Sequence, residues 1–248
     1  MLIKCQNASF GYEGHAVVHD INFTLEPGTY LWIVGENGSG KSTLIKGILK
    51  LINPVSGNID FCEELKTGSF GYLSQQSAAK KDFPAGVYEI VVSGNLGGMG
   101  LRPFYTLAEK RLAEEAMEKL GIKNFSRKCY RELSGGQQRR VLLARALVSA
   151  KAKLGETDAC GSDAQNSRCL LVLDEPAAGL DPLVTVEVYE LLKKLNEETG
   201  ITIIMVSHDI QAAAQYAHII LHLENGRGLF CGTAEYLRSD IGKKFLGS

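Results

Sequence analysis

The nine residues Gly35 to Thr43, GENGSGKST, constrain this 248-residue chain more than any other stretch. They satisfy G-x-x-x-x-G-K-[ST], follow the apolar run YLWIV and open the segment STLIKGILKLI, whose Leu44, Ile45, Ile48, Leu49 and Ile52 recur at helical spacing until Asn53-Pro54. Strand, glycine-rich loop and helix in that order make a phosphate cradle. Across Gly35, Asn37, Gly38, Ser39 and Gly40 the backbone N–H groups can curve around phosphate oxygens, and the helix N-terminus adds partial positive charge. Lys41 reaches the β- and γ-phosphates, Ser42 completes the motif and offers a hydroxyl to Mg²⁺, and Thr43, next on the helix, joins the nucleotide-binding set. A glycine-rich turn arising by chance would lack the flanking strand and helix.

A second element is CLLVLDEP, Cys169 to Pro176, where an apolar strand ends in two adjacent carboxylates. Two anions at a strand tip are costly unless a cation lies there. Asp174 is placed to hold Mg²⁺, mostly through water, and Glu175 to orient and deprotonate an attacking water. Taken alone, a strand-to-turn junction carrying an Asp would explain this stretch equally well. A third element is LSGGQ, Leu133 to Gln137, at the start of an amphipathic helix. Ser134, Gly135, Gly136 and Gln137 make a second helix N-terminus suited to an anion, with Ser134 as N-cap.

Apolar strands and helical patterns alternate after Ser134: a helix over Gln137 to Ser149, strand Cys169 to Leu173, helix Val184 to Glu198 and strand Ile201 to Ser207. This predicts a parallel sheet covered by helices. Residues 1 to 34 read as strands, and Gly86 to Tyr130 as a helical insertion interrupted by the Gly-rich turn NLGGMG. Lys151 to Ser167, KAKLGETDACGSDAQNS, has neither helical nor strand periodicity and reads as a solvent loop. Asp158, Cys160 and Asp163 within it are read as solvated rather than metal-binding.

A formal net charge of −1 excludes the broad basic surface that nucleic-acid binding needs, so phosphate recognition must be local. No apolar stretch approaches the ~18 residues of a membrane span, and the N-terminus has no signal core, so a cytosolic location is expected. The six cysteines form no C-x-x-C pair. His15 with His19 and His218 with His222 are spaced i, i+4, but AHIILHL reads as a strand and no third ligand accompanies either pair. No closed ligand set for a transition metal is expected in this chain.

With Lys41, Ser134 and Asp174 in hand, the chain resembles the ABC (ATP-binding cassette) ATPase family over nearly all its length. The resemblance implies an α/β P-loop NTPase fold, with a mixed core sheet, an N-terminal antiparallel β subdomain and a helical subdomain. It implies one domain over residues 1–248: core and β subdomain over 1–84 and 131–248, helical subdomain over about 85–130, inserted loop over 151–167. It assigns Tyr12 to stacking on adenine, in preference to Phe10. Gln75, in preference to Gln76, is assigned to Mg²⁺ or water and to sensing a membrane partner. Asp181 falls at a dimer interface, and His208 at the γ-phosphate; its place at the end of a strand argues against a core histidine. ATP and Mg²⁺ are the implied cofactors. The implied partners are a second copy of the chain, an integral membrane permease and, indirectly, an extracytoplasmic metal-binding protein, which puts the chain at the cytoplasmic face of the membrane.

The segment DFPAGVYEIVVSGNLGG resembles importers of zinc, manganese and related ions, although Ala85-Gly86 replaces the usual pair and iron-chelate importers share part of the pattern. Zinc is the first choice and manganese the second. A soluble ABC ATPase outside transport would normally carry coiled coils, zinc modules or tandem cassettes, and a small P-loop kinase would leave LSGGQ and His208 unexplained.

Overall fold

The structure is a computed structural model that describes residues 1–66, 70–75, 84–100, 102–152 and 169–246. The described residues form two sheets. The first is antiparallel, order β2-β1-β4, built from β1 (Ile3–Tyr12), β2 (His15–Leu25) and β4 (Ser56–Phe61). The second has order β5-β6-β7-β3-β8-β9, from β3 (Tyr30–Val34), β5 (Phe70–Leu73), β6 (Leu170–Asp174), β7 (Thr202–Val206), β8 (Ile219–Glu224) and β9 (Arg227–Gly232). Its first five members run parallel, and β9 pairs antiparallel with β8.

The unbroken apolar strands follow from burial on both faces. In β3, Tyr30, Trp32 and Val34 join the core on the helical side, while Leu31 and Ile33 join the core beneath the N-terminal sheet. β6 divides the same way, Leu171 and Leu173 against Leu170 and Val172. Period-two side chains with two buried faces leave no polar positions to mark the alternation. Truncating one such leucine to alanine costs about 2–5 kcal/mol.

The helices are α1 (Lys41–Ile48), α2 (Glu63–Lys66), α3 (Val87–Val92), α4 (Leu96–Met99), α5 (Leu107–Lys119), α6 (Gly135–Lys151), α7 (Pro182–Thr199), α8 (Ile210–Tyr216), α9 (Thr233–Arg238) and α10 (Asp240–Leu246). Reciprocal caps start α5, through Thr106 and Glu109, and α6, through Ser134 and Gln137. Asp181 caps α7, Pro182 occupies its first turn, and Gly200 ends it in the left-handed conformation.

Three details differ from the sequence reading. Helix α1 stops at Ile48 rather than Ile52, because Lys50 turns into positive φ at 59°. The NLGGMG turn contains the short helix α4, ended by Gly100 at φ 59°. Lys151 closes α6 and Ala152 caps it, so the polar stretch begins later than Lys151. His15 and His19 lie on β2, within the stretch that reads as strands. Residues 153–168, with Asp158, Cys160 and Asp163, lie outside the described residues, as do Asp82, Phe83 and Gln76.

The helical stretch leaves and re-enters the core at one place: Gly86 bridges Cys129, and Tyr130 N donates to Ala85 O at 2.9 Å. Among the described residues no helix is long and apolar enough to cross a membrane.

Candidate nucleotide site

The parallel strand order sets the site. β6, β7 and β3 are adjacent, so the residues leaving their carboxyl ends, Asp174-Glu175, Ser207-His208 and Gly35 to Lys41, converge on one edge of the sheet. Beyond β3 the chain turns at Gly35, where a Cβ would lie 2.2 Å from the Leu223 carbonyl oxygen. Gly40, at φ 102°, precedes α1, and a Cβ there would meet Val18 at 2.5 Å. No side chain caps α1 and no acidic residue occupies its first turn. Its first N–H groups and the positive end of its dipole are therefore left for an anion.

Lys41 is buried, and its Nζ donates to the carbonyls of Gly35 at 2.7 Å and Glu36 at 2.8 Å. Burial pulls its pKa down, while Glu175 and Asp174 push it up, which places both carboxylates within electrostatic reach. The Ser39 hydroxyl is buried without a hydrogen-bond partner among the described residues. A cationic, donor-rich loop with one orphaned hydroxyl fits a polyphosphate.

Asp174 ends β6 and is half-buried. Its pKa is raised, chiefly by burial and then by Glu175, against the opposing pull of Lys41 and a hydrogen bond with Tyr72. Crowded carboxylates with oxygen donors only are a fitting ligand set for Mg²⁺. Glu175 N donates to Val206 O at 3.0 Å, fixing the turn, and the residue has φ 49°. Its Oε1 lies 3.0 Å from Nδ1 of His208, whose ring is 73% exposed and so is no core histidine.

The raised pKa of Asp174 has a signed consequence. A carboxyl whose folded pKa exceeds its unfolded value destabilises the fold when ionised; the penalty is absent below the unfolded pKa and complete above the folded one. In the nucleotide-free chain Asp174→Asn is expected to raise Tm at about pH 7, by about 2–4 °C for each kcal/mol relieved, with the gain fading toward about pH 4. Melting curves across that range, followed through Trp32, the single tryptophan, check this; a lower Tm at neutral pH would contradict it.

Of the two aromatic candidates, Phe10 is fully buried, and a Cβ on Gly47 would sit 2.4 Å from its ring. Tyr12 is exposed at the end of β1, its hydroxyl 2.9 Å from Lys46 Nζ. Gln75 is exposed two residues beyond β5, whose Leu73 pairs with Leu173 of β6, so it stands at the same sheet edge as Asp174. Ser134 lies exposed at the start of α6; its N–H donates to Gln137 Oε1 at 3.1 Å, and its hydroxyl accepts from Gln137 N at 3.4 Å. Gly136 has a packing reason as well, since a Cβ there would meet Val184 of α7 at 2.6 Å. Asp181 is exposed and accepts from Leu183 N at 2.9 Å.

Two residues escaped the sequence reading. Tyr72 bonds to Asp174, a contact across strands that sequence spacing does not encode. Arg139 is buried and donates to the Glu175 carbonyl. Its spacing, four and eight residues before the buried Leu143 and Leu147, would have put it on the core face.

A P-loop at the centre of a parallel sheet, beside an acidic strand tip, defines a P-loop nucleoside-triphosphate hydrolase. The ABC transporter family model matches residues 18–154, from β2 through α6, and a model described as an AAA domain also matches residues 128–213. The zinc uptake system ATP-binding protein ZurA of Listeria innocua is 34% identical over 242 residues, 94% of this chain and 86% of that protein. The manganese transport system ATP-binding protein MntB of Bacillus subtilis is 34% identical over 226 residues, covering 89% and 83%. The solved structure of cbiO1 from Clostridium perfringens, part of the ABC transporter complex cbiONQ, superposes with a TM-score of 0.78 at 27% identity, covering 99% of this chain and 94% of that one. The chain belongs to the ABC transporter family, as an ATP-binding protein that hydrolyses ATP.

Proposed function

We propose that this chain drives a membrane importer of metal ions, with zinc as first choice and manganese as second, as a homodimer at the cytoplasmic face of the membrane. The observation that carries the hydrolytic part is the convergence of buried Lys41, Asp174, Glu175 and His208 on one sheet edge. Gly35, Asn37, Gly38, Ser39, Gly40, Lys41 and Thr43 hold the phosphates, and Tyr12 stacks on the base. Ser42, Asp174 and Gln75 would hold Mg²⁺, which when bound neutralises phosphate charge and orients the reacting group. Glu175 positions a water and takes its proton, and His208 donates to the terminal phosphate oxygen.

Ser134, Gly135, Gly136 and Gln137 of one subunit then cover the nucleotide held by the other, with Asp181 near the seam. Each site needs both chains. Closing the two halves excludes water and strengthens every charge contact inside, and reopening after hydrolysis resets the membrane partner.

For the permease contact, a cleft of about 310 Å³ runs between β5, α4 and α6, lined by Tyr72, Ser74, Leu96 and Arg145 among others. It adjoins Gln75, and Leu96 is 57% exposed on its rim. The metal class is supported by the similarity to the ZurA and MntB ATPases and by the DFPAGVYEIVV segment.

The test is hydrolysis by this chain assembled with its permease in lipid, with cognate binding protein carrying zinc, manganese, an iron chelate or no metal. Zinc-loaded protein is expected to stimulate most, and Gln75→Ala to weaken the response. Stimulation by manganese alone would transfer the ion assignment, and stimulation by the iron chelate alone would remove it from free metal ions. Direct activation by free zinc without permease would contradict the expectation that this chain holds no closed ligand set for a transition metal.

A further inference from the structure

Arg139 is a fully buried cation that the proposed hydrolytic cycle does not use. It lies on the second turn of α6, five residues after Ser134, and is 2% exposed. Burial holds its guanidinium below the usual arginine pKa. Nη2 donates to the Glu175 carbonyl oxygen at 3.2 Å, while Nη1 is buried with no hydrogen-bond partner among the described residues. Among those residues no carboxylate pairs with it within 4 Å. A buried charge held by one bond to a neutral carbonyl is a poor way to stabilise a fold, and an apolar side chain of similar volume commonly does better.

The carbonyl it holds is unusual. Glu175 has φ 49°, in the left-handed region that non-glycine residues seldom occupy. Its backbone is held at three points: its N–H donates to Val206 O at 3.0 Å, and its carbonyl accepts from Ala178 N at 3.1 Å and from Arg139. Arg139 is the side chain in that set. Rotation of this backbone would swing the carboxylate away from His208, which it meets at 3.0 Å.

We propose that Arg139 is a positioning residue for Glu175, locking the strained turn so that the carboxylate stays aimed at the reacting water. This rests on the reading of Glu175 as the base. Because Ser134 caps α6, the same guanidinium ties the helix that covers the partner's nucleotide to the Glu175 backbone of its own subunit. Arg139 thus serves turnover and costs stability.

The test uses the full-length chain and the variants Arg139→Met, Arg139→Lys, Glu175→Gln and Arg139→Met with Glu175→Gln, measuring kcat, KM for ATP and Tm. Arg139→Met is expected to lower kcat at least about tenfold with KM within about twofold and Tm unchanged or higher. Arg139→Lys, which keeps a long donor, should recover most of the rate. In the Glu175→Gln background, Arg139→Met should add no further loss, since a positioning effect vanishes with the group positioned. Wild-type kcat in Arg139→Met would overturn the proposal while leaving Glu175 as base. So would a collapse in Tm, or a chain that fails to fold, since either makes Arg139 structural. Normal turnover in Glu175→Gln would remove the base and the proposal together.

Discussion

Glu175→Gln is expected to bind ATP as the parent chain does and to lose about 10²–10⁴-fold in turnover, trapping a closed dimer. The substitution keeps the shape of the side chain, and the backbone bonds to Val206 and Ala178 do not depend on its charge. What disappears is the proton acceptor facing His208 at 3.0 Å. Removing this charge also removes the second-largest influence raising the pKa of Asp174, so Mg²⁺ binding should not weaken for want of an ionised ligand. Phosphate release at saturating ATP, paired with equilibrium binding, separates the two effects. Near-normal steady-state hydrolysis would sink the assignment.

Lys41→Ala and Ser134→Arg should each abolish hydrolysis, for different reasons that mixing reveals. Lys41 carries the one buried ammonium of the P-loop, so its loss should cost orders of magnitude in affinity or turnover. Ser134 is exposed, and its local duty is a helix cap worth about 1 kcal/mol, so Ser134→Arg should fold and bind ATP while its bulk blocks closure. A head-to-tail dimer of one variant with the other holds one site carrying both defects and one carrying neither. Random pairing at equal concentration should therefore restore about a quarter of parental activity. Hydrolysis at the parental rate by Ser134→Arg alone, or no restoration from a mixture proven to contain heterodimers, would defeat the shared-site arrangement.

The locally encoded parts of the molecule were legible in its residues. The P-loop, the cap of α6, and the apolar runs of β3, β6 and β7 depend on neighbours within a few positions. Backbone sterics, cap hydrogen bonds and burial periodicity act at that range. Helix boundaries slipped where a single backbone angle decides, as at Lys50, or where apolar packing extends a helix into a polar stretch, as at Lys151, which follows the buried Ala150. The family resemblance alone preferred Tyr12 to Phe10; tertiary structure supplies the physical reason, because their alternation on β1 is broken by register shifts that leave one in the core and the other in solvent. It also decided which charged groups meet. Glu175 and His208 are 33 residues apart, and Arg139 and Glu175 are 36. Their contact depends on β6 lying beside β7 and on α6 packing over the sheet, because a hydrogen bond or a buried charge is fixed by distance in space, which spacing along the chain does not specify.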